Sequence, residues 1–361
     1  MKLLYIVPEI NNEGGVARVL SMKTNYLIEK FGYQIHILTQ NEGSFSLFYI
    51  FNKKIVFHDI LLNGSGFQFI NSYRKALKRT IKAIDPDVIL VCDNGLKAYT
   101  IPFILKTKIP IIFESHGSKF IEEKRQNKYL SSTKIKLLFK DFSANRFTKF
   151  IALSNESLIE WDVKNGLVIP NPLWLQTNIS AKLETKKVIV VARHSYEKGL
   201  DRLLSIWERI AKIHPDWILE IYGKDTVGLK EAAKKLKIDS KIRFFNPVKN
   251  IEEKYIESSI CVITSRYEGF PMVLIEAMAC GLPCVAYDCP CGPRAIIKDN
   301  VNGFLIEDGN ADLFVEKLSA LIENATLRIE VGNNAKLSSV KYNIEEIMQT
   351  WNQLFIGIKK S

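Results

Sequence analysis

No uninterrupted apolar stretch of membrane-spanning length occurs in this chain. Its opening residues, MKLLYIVP, are apolar for too short a run to form the core of a secretory signal, and they give way to the polar EINNEGG. A cytoplasmic location is expected, at most peripheral at the inner face of a membrane. Metal-binding patterns are equally scarce. Cys280, Cys284, Cys289 and Cys291 follow C-x3-C-x4-C-x-C and lack the paired C-x2-C knuckles of a structural zinc site. In a reducing compartment they, with Cys92 and Cys261, are expected as thiols. Asp85-Pro-Asp87 has the Asp-x-Asp form, but it precedes a strand and so falls at the wrong edge of a parallel sheet for a ligand. No metal is expected. The dinucleotide pattern G-x-G-x-x-G is missing as well.

What the chain does have is material for two cores. Its 361 residues exceed one ordinary doubly wound domain; they suit two of about 150–180 residues. Apolar residues make up 47% and charged residues 25%, a globular balance. The net charge of +11 is uneven: residues 1–170 carry 24 Lys and Arg against 15 Asp and Glu, and the remainder 26 against 24. An anionic partner is therefore expected for the first half.

Short apolar runs alternate with longer amphipathic ones. Leu3–Val7, Ile35–Thr39, Ile55–Ile60, Val88–Cys92, Ile109–Glu114 and Phe150–Leu153 read as strands, with helical patterns such as Val16–Lys30 and Phe67–Ile84 between them. The rhythm breaks at Ile169-Pro-Asn-Pro172, where two prolines favour an extended linker. It restarts with strands at Lys187–Ala192, Trp217–Tyr222, Ile242–Phe245, Ile260–Thr264 and Pro283–Tyr287. Helical Leu200–Ile213, Val227–Lys237, Ile251–Glu257 and Pro271–Cys280 separate them, and Ala311–Ile358 reads as helical with a break near Ser338–Asn343. The predicted fold is α/β: two Rossmann-like, doubly wound parallel-sheet domains, 1–170 and 171–340, facing across a cleft, with a helix at 341–361 packing back toward the first. Ligands of such sheets bind outside the carboxyl ends of the strands. Polar residues there are the candidates.

Four stretches qualify. The most informative is Ser265-Arg-Tyr-Glu-Gly-Phe-Pro-Met-Val-Leu-Ile-Glu276, which follows a strand and opens a helix with Pro271 in its first turn. Free N–H groups of that turn suit an anion, and Glu268 and Glu276 are spaced to reach different parts of one ligand. A capped core helix with two solvated acids fits the same spacing. In Val191-Ala-Arg-His-Ser-Tyr-Glu-Lys-Gly199, Arg193 and Lys198 suit a diphosphate leaving group; a solvated pair on a surface turn is the alternative. In Asn12-Glu-Gly-Gly-Val-Ala-Arg18, Gly14 and Gly15 let backbone approach a ligand closely, or simply make a tight strand-to-helix turn. Ile112-Phe-Glu-Ser-His-Gly117 puts His116 at a strand's carboxyl end, as a contact or as a structural histidine. His36 and His58 fall within strands and His214 precedes a proline, whereas His194 adjoins Arg193.

Together these stretches resemble one family, the family 4 glycosyltransferases of the GT-B fold. The resemblance is carried by Ser265 to Pro271, the Glu268 and Glu276 pair and the sequel Glu-Ala-Met-Ala-Cys-Gly-Leu-Pro283. Asp288-Cys-Pro-Cys-Gly-Pro293 is similar to a bacterial subgroup acting on polyprenyl-linked glycans and surface polysaccharides. The likeness spans nearly the whole chain and is strongest over 187–310. It implies retaining transfer of a hexose or N-acetylhexosamine from a nucleotide diphosphate sugar, UDP-linked, to a glycan or lipid-linked acceptor, with no cofactor. By the same resemblance Glu268 contacts the donor sugar, Glu276 the ribose, and Arg193 and Lys198 the diphosphate. His116 meets the sugar near the reacting carbon, and Gly14 and Gly15 line the phosphate side. Gly223, Asn246 and Val248 flank the base, and Gly269, Phe270, Val273 and Leu274 complete the donor-binding set. One departure is Arg294-Ala-Ile-Ile, where related chains often carry a glutamate near Ala295.

Two rivals stand beside this reading. A GT-B nucleotide-sugar epimerase shares the scaffold, although the long helical tail and the Glu-x7-Glu pair favour transfer. A non-catalytic basic module for membrane or nucleic acid does not explain four polar constellations at strand carboxyl ends, and no nucleic-acid partner is expected. The basic half itself has two readings. In Phe69–Ile84, Phe69, Tyr73, Leu77, Ile81 and Ile84 form one apolar face, with Arg74, Lys75, Lys78, Arg79 and Lys82 away from it. A second cluster runs from Lys119 to Lys140, with Lys124, Arg125, Lys128, Lys134 and Lys136. These are a solvated face or a docking surface for anionic lipid. Phe45–Phe51 reads as a membrane-inserting loop or as a buried strand or its approach.

Overall fold

The computed structural model describes residues 1–43, 47–120, 131–175, 179–225 and 227–360. Along the first part of the chain run β1 (Lys2–Ile6), α1 (Gly15–Phe31), β2 (Gln34–Gln40), β3 (Val56–Ile60), α2 (Gly66–Ile84) and β4 (Val88–Val91). There follow α3 (Ile101–Leu105), β5 (Ile111–Glu114), α4 (Ser131–Ala144), β6 (Lys149–Ala152), α5 (Asn155–Ile159) and β7 (Gly166–Val168). The second part holds β8 (Lys187–Val191), α6 (Leu200–Ile213), β9 (Ile218–Tyr222), α7 (Leu229–Lys235), β10 (Ile242–Phe245), α8 (Ile251–Ile256) and β11 (Ile260–Ile263). It continues through α9 (Met272–Ala279), β12 (Cys284–Asp288), α10 (Pro293–Ile296), β13 (Phe304–Glu307), α11 (Ala311–Glu323), α12 (Ala325–Ser339) and α13 (Ile344–Lys360).

These elements form two compact units, Met1–Pro172 with Ile344–Ser361, and Leu173–Asn343. Each is an α/β unit with an all-parallel sheet, as the alternation of runs predicts. The first sheet has seven strands in the order β3-β2-β1-β4-β5-β6-β7, the second six in the order β10-β9-β8-β11-β12-β13. Both orders reverse direction once, between β1 and β4 and between β8 and β11. A crevice opens at such a switch point, because the flanking connections leave to opposite faces.

Burial explains the strands. Leu3 to Ile6, Val88 to Val91 and Ile260 to Ile263 are buried at every position, so each faces a helix layer on both sides. In α2, Tyr73, Leu77, Ile81 and Ile84 are buried and Arg74, Lys75, Lys78, Arg79 and Lys82 are exposed. Fully burying side chains of this size stabilises by about 1.5–3 kcal/mol each. In the other basic cluster, Lys119 and Lys140 turn out to be core residues. Lys119 is 7% exposed and donates to Asp141 at 2.6 Å, and Lys140 is 4% exposed. Lys124, Arg125 and Lys128 lie outside the described residues.

The short edge strands β7 and β13, three and four residues long, escape the sequence pattern. The C-terminal helices break at Asn324 as well as at Val340–Tyr342; the Asn324 side chain accepts from Leu327 N and caps α12. Of the Phe45–Phe51 segment, residues 44–46 lie outside the described residues, and Leu47 to Phe51 form no strand, with Ile50 87% exposed. Within the first unit α13 packs on α1. Tyr33 Oη donates to Asn352 Oδ1 at 2.5 Å, and Lys359 pairs with Asp87 at 3.0 Å. Asp87 also accepts from Lys2 N at 2.7 Å, which gives the Asp-x-Asp segment a structural task.

Candidate functional site

At the switch point of the second sheet, the loops leaving β8 and β11 interlock. Gly199, at φ 60°, closes the tight turn after Tyr196–Lys198, and a Cβ there would lie 2.1 Å from Thr264 O. Only glycine allows that approach. Thr264 Oγ1 in turn donates to Gly199 O at 3.0 Å. Arg266 locks the same two loops: its guanidinium pairs with Asp201 at 2.6 Å, donates to Tyr196 O at 2.7 Å and lies 4.1 Å over the Tyr196 ring. These bonds to Arg266 hold the Asp201 carboxyl below its ordinary range.

The clamp delivers Lys198 to Glu268. Lys198 Nζ sits 2.7 and 2.8 Å from the two carboxylate oxygens, and Ser265 Oγ donates to Oε1 at 2.6 Å. Glu268 is 7% exposed. Gly292 backs it so closely that a Cβ there would meet Glu268 Cβ at 2.7 Å. Gly269, Phe270 and Pro271 then lead into α9, which begins at Met272, with Pro271 in the capping position rather than inside the helix. No side chain caps that end. Val273 is partly exposed and Leu274 fully buried.

Glu276 is placed differently. It is 1% exposed, and its oxygens accept from Trp174 Nε1 at 2.7 Å and Tyr255 Oη at 3.1 Å. These two donors orient the carboxylate. Arg193 stands apart from the Lys198 and Glu268 pair; its side chain is 65% exposed and 3.9 Å from Glu197. Gly223 ends β9, where a Cβ would strike Ala192 O at 2.0 Å. Beyond β10, Asn246 is exposed and Val248 half-buried. His194 is a core residue, 2% exposed, with Nδ1 3.4 Å from Asp225. Burial lowers its pKa. Arg294, at the departure from the family pattern, pairs with Asp288.

The first unit carries the remaining candidates. Gly14 precedes α1, which opens with neither a side-chain cap nor an acidic residue in its first turn. A Cβ on Gly14 would meet Asn12 Oδ1 at 2.5 Å, whereas Gly15 faces open space. Two turns into α1, Lys23 is 2% exposed and reaches both oxygens of Glu114 at 2.6 and 2.7 Å. Its ammonium also lies 3.8 Å over the Trp351 ring. His116 Nε2 is 3.5 Å from Glu114. Burial lowers the pKa of His116, which Glu114 opposes and Lys23 reinforces, so the imidazole is neutral at pH 7. Cys92, Glu114 and His116 could together hold a cation, but Lys23 already supplies the positive charge at that point.

Some of these partners carry no motif signal. Trp174 and Tyr255 act on Glu276, which they meet only in the fold. Lys23 had one legible sign, a lysine among the buried positions Leu20, Thr24 and Leu27 of α1.

Two doubly wound parallel-sheet units in one chain are the architecture of the GT-B class. The chain matches Glycosyl transferases group 1 over residues 175–338 and Glycosyl transferase 4-like over residues 16–152, and it belongs to the family 4 glycosyltransferases. It is similar to an uncharacterized glycosyltransferase of Haemophilus influenzae, 29% identical over 97% of this chain and 98% of that protein. It is equally similar, at 29% identity over 98% of this chain and 99% of the other, to the amylovoran biosynthesis glycosyltransferase AmsD of Erwinia amylovora. Its fold matches that of a Staphylococcus aureus TarM mutant in complex with fondaparinux, alpha-GlcNAc-glycerol and UDP. The TM-score is 0.78 at 16% identity, over 98% of this chain and 99% of that one. Among the described residues no helix is long and apolar enough to cross a membrane.

Proposed function

We propose that this glycosyltransferase moves a hexose or N-acetylhexosamine from a UDP-sugar to a glycan or polyprenyl-linked acceptor in surface-polysaccharide synthesis, with retention and without a metal ion. The observation that carries the proposal is the bidentate pair of Lys198 and Glu268 at the β8 and β11 switch point. In this structure each group neutralises the other. A bound donor offers each a new partner, a diphosphate for Lys198 and sugar hydroxyls for Glu268. Arg193 and the uncapped start of α9 add positive potential for the departing diphosphate, which is what a metal ion supplies elsewhere. Glu276, oriented by Trp174 and Tyr255, is assigned to the ribose, and Gly223, Asn246 and Val248 to the edge of the base.

The relatives support this reading: AmsD is named for amylovoran biosynthesis, and the TarM complex contains UDP. The test is a screen of purified nucleotide sugars scored by released nucleotide, followed by NMR of the product anomer. A preference for a non-uridine donor, or an inverted anomer, overturns the corresponding part of the proposal.

A further inference from the structure

The segment Asp288-Cys-Pro-Cys-Gly-Pro293 carries none of the donor contacts assigned above, yet it runs directly behind Glu268. It leaves β12 and enters α10 at Pro293. Its two ends are tied together: the Arg294 guanidinium donates to both carboxylate oxygens of Asp288, through Nε at 2.8 Å and through Nη2. Within the loop Cys289 N donates to Tyr287 O at 2.9 Å, and Ala295 N donates to Gly292 O at 3.1 Å. Cys289 and Cys291 are 1% and 4% exposed. Burial pushes the Cys289 thiol up, so a neutral group and not a thiolate stands near Glu268.

The loop meets Glu268 at two points. Glu268 N donates to Pro290 O at 3.3 Å. A Cβ built on Gly292 would lie 2.7 Å from Glu268 Cβ, 3.5 Å from Glu268 Cγ and 3.1 Å from Pro271 Cδ. Carbon atoms rest at about 3.5–4.0 Å, so a methyl at 292 displaces a neighbour by about 1 Å. The Pro271 ring stands at the start of α9 and has no torsion free to move it aside. The Glu268 side chain gives more easily. It is held by Lys198 Nζ at 2.7 and 2.8 Å and by Ser265 Oγ at 2.6 Å. A shift of about 1 Å at its stem takes those bonds beyond hydrogen-bond range.

We infer that residues 288–294 are a buttress for Glu268 and that Gly292 is a positioning residue, setting the depth at which that carboxylate meets Lys198. The effect on turnover rests on the transferase reading above; the effect on the pair does not. The experiment combines Gly292→Ala with Glu268→Gln and with Lys198→Met in the full chain. Nucleotide release from UDP-glucose, UDP-galactose or UDP-N-acetylglucosamine gives kcat, calorimetry gives UDP affinity, and thermal melts give stability. Gly292→Ala should lower kcat roughly tenfold to a hundredfold, the scale of a misplacement of about 1 Å, with UDP affinity nearly kept. Added to Glu268→Gln it should lower kcat little further, because the carboxylate it displaces is already gone. Lys198→Met leaves a buried carboxylate unpaired and should lower the Tm of the parent protein. In the Gly292→Ala background it should lower it much less.

Additive Tm shifts overturn the inference. Where Glu268→Gln lowers kcat, so do additive losses of kcat, parental kcat in Gly292→Ala, or a loss of UDP affinity as large as its loss of kcat. Where Glu268→Gln turns over like the parent, or no UDP-sugar is turned over, the sugar assignment of Glu268 fails and coupled Tm shifts uphold the buttress. Should Gly292→Ala not fold, Arg294→Ala decides. The Arg294 side chain is 57% exposed, so its removal opens the loop's closure without emptying the core. The same coupling of Lys198→Met, in weaker form, is expected in that background, and an undiminished Tm shift there overturns the inference.

Discussion

Lys198 and Glu268 are 70 positions apart in sequence, yet the ammonium bridges both carboxylate oxygens at 2.7 and 2.8 Å. The pair spans the two strands between which the sheet order reverses, so its members leave adjacent strands at the same edge. Charged partners held this way are oriented before a ligand arrives, which lowers the cost of ordering them in the reaction.

The two glutamates should separate kinetically. On the proposed assignment Glu268→Gln removes a charged contact to the sugar, and such contacts are worth about 1.5–3 kcal/mol. A fall in kcat of roughly tenfold to a hundredfold is expected, with UDP affinity nearly kept. Glu276→Gln leaves one oxygen for two buried donors, so it should both weaken UDP binding and destabilise the fold by about 1–3 kcal/mol. Steady-state kinetics, UDP calorimetry and thermal melts check this. Equal loss of UDP affinity in both variants with unchanged turnover contradicts the division.

Transfer should survive EDTA, because Lys198, Arg193 and the start of α9 supply the positive charge. Activity that vanishes with chelator and returns with magnesium or manganese would refute metal independence. Lys198→Ala should cost more than Arg193→Ala, since Lys198 is 21% exposed and Arg193 65%. Exposed charges are screened by solvent.

Asp225 predicts an acid-sensitive edge of the second unit. Burial raises its pKa, but Lys230 N, Leu229 N, His194 and Val227 N more than offset this and hold it at about 2, against 3.8 ordinarily. The folded value is the lower one, so the stabilisation is present above pH 3.8 and lost as pH falls toward 2. The shift corresponds to about 2–3 kcal/mol, which solvent screening of this partly exposed group reduces to about 1–2 kcal/mol. Asp225→Ala should melt lower at pH 7, and its deficit should shrink below pH 3. A deficit that stays constant down to pH 2 rules the linkage out.

The first unit also carries exposed bases on α2 and, separately, an exposed apolar stripe on α4. Ile135, Leu138 and Phe142 are 67, 68 and 52% exposed, at helical spacing, beside exposed Lys134 and Lys136. Each basic residue at an anionic surface is worth about 1 kcal/mol. Co-sedimentation with phosphatidylglycerol vesicles is expected at low salt and should be lost at high salt, where screening shortens the range. Charge reversal at Arg74, Lys75 and Lys78 should abolish it. Equal recovery in the supernatant with anionic and neutral vesicles at low salt removes the proposal.

Sequence by itself determined the parallel α/β character of both units. Runs such as Leu3–Val7 and Ile260–Ile263 are short and apolar at consecutive positions, as strands covered on both faces are. It also put the polar candidates at strand carboxyl ends, because each follows directly on such a run. It did not determine what each candidate touches. The order β10-β9-β8-β11-β12-β13 is a matter of non-local pairing, and an apolar run states that it is buried without naming its neighbour. Tertiary structure alone therefore set Lys198 against Glu268 and left Arg193 outside that pair. It gave Glu276 to Trp174 and Tyr255, and sank Lys23, Lys119 and Lys140 into the core against carboxylate or carbonyl oxygens. A lysine reads as surface charge until the fold supplies a buried acceptor, because only a partner at close range offsets the cost of leaving water.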